Sequence, residues 1–254
     1  MQKRIWLLVL VLATVLLSGT AAWADFYVIG GGRGVGTRIS SIPYTITAPG
    51  FYYLTQDLSM TASFGPNNAI TVNADDVTLD LMGFRLYCTG SGDTIGISIQ
   101  GRKNVEVRNG TVRGFPAGGI YDQIGGYSYR FINLRLENNG IWGINLSTGY
   151  YHLIHNCNIT ENGNSGIALT GYGCKITRNV VSKNGLRGIA CNGSGDSLVG
   201  NVVVDNATHG FYLSTGASAY YLIDRNTAYN NTSGTLNGVP PAATFGVNAG
   251  PGFP

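Results

Sequence analysis

The sequence predicts an all-β solenoid in which successive windings of one chain stack on each other. Three observations predict it: a periodic glycine anchor, three short alternating segments within each period, and asparagines that recur at the corners between them. Glycine followed by a large apolar residue occurs at Gly96-Ile97, Gly119-Ile120, Gly143-Ile144, Gly166-Ile167, Gly188-Ile189 and Gly210-Phe211, at intervals of 23, 24, 23, 22 and 22 residues. A unit this short has no core of its own, so it buries its apolar face by stacking on its neighbours.

The chain divides into four parts. In residues 1–24, Lys3 and Arg4 precede an uncharged apolar run from Ile5 to Leu17, and Ala22-Trp23-Ala24 offers a small-residue cleavage site. This pattern reads as a secretory leader; the run is short of the ~20 residues of a membrane span. The expectation is an exported, periplasmic or extracellular protein with no membrane span after cleavage. Residues 25–66 form an N-terminal segment and cap, in which Tyr44 to Leu58 alternates without the glycine anchor. Residues 67–232 carry the repeats, and residues 233–254 are a Gly-, Pro- and Ala-rich tail that either covers the far end or hangs free.

Within the repeats, period-two alternation between turn residues marks half-buried strands. The first segment is Ile144-Asn145-Leu146, Ile167-Ala168-Leu169, Ile189-Ala190-Cys191 and Phe211-Tyr212-Leu213. The second carries Ile154, Ile176, Leu198 and Ile223; the third carries Leu136, Ile159, Val181, Val203 and Ala228. Asn109, Asn179, Asn201 and Asn226 align at the turn between the second and third segments, with Leu134 and Cys157 in two coils, and Asn139, Asn162, Asn184, Asn206 and Asn231 align after the third. Asparagine tolerates left-handed backbone angles, and amides stacked one coil apart can bond along the axis. Asp80 with Arg108, and the column Glu161, Lys183, Asp205, are read as axial salt-bridge ladders worth about 0.2–1 kcal/mol per exposed pair. Cys191 stands where neighbouring coils have Leu169 and Leu213, so it is read as a buried apolar residue; the alternative is a disulfide, with Cys174–Cys191 the preferred pair.

Composition narrows the function. Only 11% of residues are charged, and without Lys3 and Arg4 the balance is 14 basic against 13 acidic residues. This is no footprint for nucleic acid. Gly30 to Gly36 lacks the nucleotide-binding spacing, and Gly36 stands where a calcium nonapeptide needs aspartate. No cofactor or metal is expected.

The run Asp76-Val77-Thr78-Leu79-Asp80-Leu81-Met82-Gly83, followed by Asn104-Val105-Glu106-Val107-Arg108-Asn109-Gly110-Thr111, resembles bacterial right-handed parallel β-helix repeat proteins of the pectate-lyase-like superfamily. The resemblance covers most of residues 44–232 and implies a right-handed parallel β-helix of about seven coils, each of 22–27 residues with three short strands. It implies no single activity, since the superfamily holds polysaccharide lyases, hydrolases, epimerases and adhesins. Members that cleave acidic polysaccharides would carry clustered carboxylates. Here Asp93, Asp122, Asp196 and Asp224 fall in different columns.

Two sets of residues are candidates for function. Tyr127, Tyr150 and Tyr172 align at intervals of 23 and 22 residues and would place aromatic rings one coil apart, a strip for sugar rings to stack on, with Tyr121, Trp142 and Asn145 as further contacts. Arg187 and His209 lie just before successive anchoring glycines, beside the outward-facing Tyr212, and are the candidates for uronate binding or proton removal. The preferred reading is recognition of, or adhesion to, a polysaccharide or cell-surface glycan. The alternatives are a polysaccharide lyase, epimerase or glycoside hydrolase, and a structural envelope or surface protein without a soluble ligand.

Overall fold

The computed structural model describes residues 36–254 except 66, 217 and 218. The leader expected over residues 1–24 and the glycine run up to residue 35 lie outside the described residues. The described chain is a parallel β-helix with three walls. The first wall is a nine-stranded sheet that runs from Tyr44–Ile46 through Asn68–Val72, Ile95–Ile99, Gly118–Asp122, Trp142–Leu146, Ile167–Leu169, Ile189–Cys191 and His209–Leu213 to Gly234–Asn237. Nine strands make about eight turns, close to the seven expected. The second and third walls form one 16-stranded sheet, because Val105–Arg113 and Arg130–Glu137 run unbroken around the corner between them.

The register places the repeats directly above each other. Ile144 pairs with Ile167, Ile167 with Ile189 and Ile189 with Phe211. These side chains, with Ile154, Ile176 and Leu198 of the second wall and Ile159, Val181 and Val203 of the third, are at most 1% exposed. Burying each contributes about 1.5–3 kcal/mol. The anchoring glycines are needed for close approach: a Cβ at Gly96, Gly119, Gly143, Gly166, Gly188 or Gly210 would stand 2.6–3.0 Å from a carbonyl oxygen of the next coil.

Two amide ladders line the interior. Asn139, Asn162, Asn184, Asn206 and Asn231 each pass Nδ2 to the Oδ1 of the next, at 2.9–3.0 Å, and Asn179, Asn201, Asn226 and Asn248 do the same at 3.0–3.1 Å. Each Oδ1 also accepts a backbone N–H from the coil before, which satisfies the turn that period-two strands leave open.

Three details depart from the sequence reading, while the cysteines follow its preferred form. The segment 44–61 is a complete coil, with Gly50–Leu54 and Leu58–Thr61 in the second and third walls, and the tail adds Gly234–Asn237 and Ala242–Phe245. Phe253 returns to pack on Phe211, 5.8 Å between ring centroids. Asn109 belongs to an outward column with Asn133 and Asn156, because the register pairs Leu134 with Gly110. Arg108 meets Asp80 at 2.7 Å, but no ion pair joins Glu161, Lys183 and Asp205; left-handed corner angles of 54–57° turn them outward into water. The four cysteines are free and buried, so the Cys174–Cys191 bridge is not formed. Burial pushes the Cys157 and Cys174 thiols up to about 12 and Cys191 well above its ordinary value, which keeps them protonated and inert.

Candidate functional site

The corner between the first and second walls repeats a glycine followed by a tyrosine. Gly126–Tyr127 and Gly149–Tyr150 pair as short parallel strands, and bridges carry the column on from Tyr150 to Tyr172 and Ser194. The rings of Tyr127 and Tyr150 stack 5.0 Å apart at 15°, and those of Tyr150 and Tyr172 stack 5.6 Å apart at 22°. They remain 46%, 37% and 53% exposed. The sequence expectation of a row one coil apart thus matches the geometry, but its consequence changes. Stacked rings cover each other's faces, so the middle of the row offers ring edges and phenol hydroxyls to a ligand, and only the end faces are open.

An open face lies beside the row. Tyr151 turns the corner at φ 59°, is 65% exposed and lies against Gly173, where a Cβ would come 2.9 Å from its ring. Tyr151, Ser128, Arg130, Leu153 and Lys175 line a groove of about 380 Å³. Arg130 is held by Glu106 at 3.1 Å, while Lys175 has no ion-pair partner among the described residues. The groove therefore combines phenols, an aromatic face and a free ammonium group, which suits a hydroxyl-rich ligand carrying negative charge.

Beneath this corner the glycines leave room for polar side chains that point inward. Tyr129, His152, Cys174, Asp196 and Tyr221 form one register column, each at most 3% exposed. Cβ atoms at Gly126 and Gly149 would collide with Tyr129 and His152, and at Gly171 and Gly193 they would stand 3.3 and 3.1 Å from the Cys174 sulfur and an Asp196 oxygen. Tyr129 donates its hydroxyl to Asp122 at 2.7 Å, and burial raises its pKa. His152 stacks on Tyr129 at 4.6 Å, and its Nδ1 accepts the Tyr129 N–H at 3.1 Å; burial pushes its pKa down to about 4. Asp196 accepts the Cys174 N–H at 2.9 Å, and burial pushes its pKa up to about 7. These groups fix the corner from behind.

The other candidates lie on the first wall. Tyr121 and Trp142 stack 5.8 Å apart at 3°, and Asn145 is the register partner of Tyr121. Ala168, Ala190 and Tyr212 continue that column. The Arg187 guanidinium sits 3.6 Å from the centre of the Tyr212 ring, and His209 meets the same ring edge-on at 6.2 Å. Arg187, His209 and Tyr212 are thus brought together near the C-terminal end of the wall, and Tyr121, Trp142 and Asn145 in its middle, on the fourth and fifth of its nine strands. The tyrosine row occupies a different corner and joins neither group. Among the described residues, no group of three or more His, Cys, Asp or Glu side chains is arranged to hold a metal ion, and no helix is long and apolar enough to cross a membrane.

Comparison with known proteins agrees on the architecture. The crystal structure of pectate lyase Pel9A superposes with a TM-score of 0.63 at 15% identity, over 83% of this chain and 66% of that one. The mannuronan C-5 epimerase AlgE4 A-module of Azotobacter vinelandii gives 0.47 at 12% identity, over 80% of this chain and 87% of that one. No curated protein sequence matches the chain. The chain spans just under two thirds of the pectate lyase, and at these identities the likeness concerns the fold. A family model for the right-handed β-helix region matches residues 67–203, more than half of the sequence and the windings that carry the tyrosine row, so the chain belongs to the right-handed β-helix family.

Proposed function

We propose that the protein recognises a polysaccharide along the corner between its first and second walls. The observation that carries this reading is the solvent-exposed row of Tyr127, Tyr150 and Tyr172 beside the Tyr151 groove. Phenol hydroxyls at one-coil spacing bond to sugar hydroxyls, the Tyr151 face takes a sugar ring, and Lys175 attracts an acidic substituent. The likeness in fold to polysaccharide-acting β-helices supports a glycan as the ligand. The leader pattern of residues 1–24 supports a site of action outside the cytoplasm. On a glycan array, binding by the intact protein is expected to disappear in the Tyr127→Ala, Tyr150→Ala, Tyr172→Ala triple variant with its circular dichroism unchanged. An unaltered array pattern excludes this corner as the site.

A second reading rests on the contact of Arg187 and His209 with Tyr212. In it, the first wall binds a uronate and a base removes the C5 proton next to its carboxylate while the bond from C4 to the glycosidic oxygen breaks; that oxygen leaves on the neighbouring sugar and takes up a proton, and the uronate keeps a C4=C5 double bond as an unsaturated end. Absorbance of unsaturated uronate released from a polysaccharide panel, abolished in Arg187→Ala or His209→Ala, supports the lyase; a panel without new ends excludes it.

A further inference from the structure

The turn between the second and third walls holds a column of residues in the left-handed conformation: Asn109, Asn133, Asn156, Arg178, Gly200 and Arg225, with φ between 53° and 69°. The first half is explained by geometry alone. Asparagine favours this conformation, and the three amides bond outward along the axis, Asn156 to Asn133 at 2.8 Å, Asn133 to Asn109 at 3.2 Å and Asn109 to Asp80 at 3.0 Å. The second half breaks that pattern. Arg178 and Arg225 adopt a backbone angle that costs energy in any L-residue with a Cβ, and neither extends the amide ladder. Between them Gly200 contributes no side chain.

Backbone bonds from Arg178 N to Val199 O, Gly200 N to Asp224 O and Arg225 N to Val247 O, at 3.0, 3.0 and 2.8 Å, keep the three in consecutive coils. The two guanidinium groups therefore belong to coils about 10 Å apart. They line one pocket of about 680 Å³ together with His155, Thr177, Val199 and Gly200. The Arg178 guanidinium has no ion-pair or hydrogen-bond partner among the described residues. Arg225 is held through Nε by Asp224 Oδ2 at 2.8 Å, while Asp224 Oδ1 accepts the Val247 N–H at 3.1 Å. The local carboxylate is thus engaged in aiming one arginine and does not neutralise the other. Thr177 Oγ1 and His155 Nδ1 share a bond of 2.8 Å on the same side of the pocket.

We propose that this pocket is a binding site for a tetrahedral oxyanion, a sulfate or phosphate group. Two guanidinium forks, with the Thr177 hydroxyl and the His155 imidazole on the Arg178 side, present more donors than the two oxygens of a carboxylate use, and they match an anion with three or four equivalent oxygens. The anion sits in the pocket that Gly200 lines, where the Arg178 stem passes 3.7 Å from the place of a Gly200 Cβ. The site is separate from the tyrosine row, one wall away, and does not depend on it.

Inorganic sulfate, inorganic phosphate and acetate titrated calorimetrically into the full-length protein at low ionic strength test the proposal. Sulfate and phosphate are expected to bind and acetate to bind at least tenfold more weakly. Arg178→Asn and Gly200→Asn suit the left-handed turn, so both are expected to keep the wild-type melting temperature or exceed it. The first removes a charged donor and is expected to lower anion affinity about tenfold or more; the second fills the pocket and is expected to do the same. A sulfated polysaccharide and its desulfated form identify the carrier: loss of sulfated-polymer binding in Arg178→Asn assigns a polymer, and binding of the inorganic ions alone assigns a small anion. Equal affinity for acetate, or unchanged affinity in both folded variants, overturns the site. The tyrosine triple variant keeps its anion binding if the two sites are independent, so failure of one proposal is visible apart from the other.

Discussion

His152 and Asp196 are ionisable residues sealed inside the first-to-second corner, and they respond to acid in opposite senses. The Asp196 carboxyl is raised to about 7 by burial, so the fold favours its protonated form. Its contribution to stability is complete below the ordinary carboxyl pKa and is lost as pH rises toward 7. His152 is lowered to about 4 by burial, so the fold favours neutral imidazole. Its contribution is complete above the ordinary imidazole pKa and is lost as pH falls toward 4. The two effects offset each other across one window, at about 1.4 kcal/mol for each pH unit of displacement. Asp196→Asn is therefore expected to be more stable than the parent at pH 7.5 and to lose that advantage by pH 4, where His152 acts unopposed. Urea midpoints at pH 4, 5.5 and 7.5 check this; parallel profiles for the two proteins contradict it.

At the level of strands and corners, the ladders connect each turn to the next. Asn184→Ala would orphan the Asn162 N–H and take one bond each from the Asn162 side-chain amide, the Ile159 carbonyl and the Asn206 oxygen, which keeps the backbone N–H of residue 184. At about 1–3 kcal/mol for each buried unsatisfied group, the variant is expected to lose several kcal/mol, whereas Asn248→Ala, at the half-exposed end of its ladder, loses less. Denaturant midpoints of the two variants separate these costs. The walls and both interior ladders were legible because burial and amide stacking act at one repeated spacing, as Ile144, Ile167 and Ile189 show. The terminal coils were not, because Tyr44–Ile46 and Gly234–Asn237 join the first wall without an anchoring glycine followed by a large apolar residue. The tyrosine alignment was legible, but ring orientation was not, and so self-stacking emerged only from the coordinates. The inward column has its own sequence signal: glycine, any two residues, then Tyr, His, Cys or Asp at 126–129, 149–152, 171–174 and 193–196.

Across the whole described molecule, each coil touches only its neighbours, so stability is distributed as a sum of coil–coil interfaces. Central windings have two such interfaces and the outermost have one. Amide hydrogen exchange is expected to be slowest in the first-wall strands between Trp142–Leu146 and His209–Leu213 and progressively faster toward Tyr44–Ile46 and Ala242–Phe245. Uniform protection from end to end would show a single cooperative block instead. The interior ladders add a directional property to this repeating body. In both, every asparagine but the last directs its amino group toward the following coil and its oxygen toward the preceding one. The side-chain dipoles therefore align head to tail and polarise one another, which gives the solenoid a built-in electrical axis with its positive pole at the C-terminal winding.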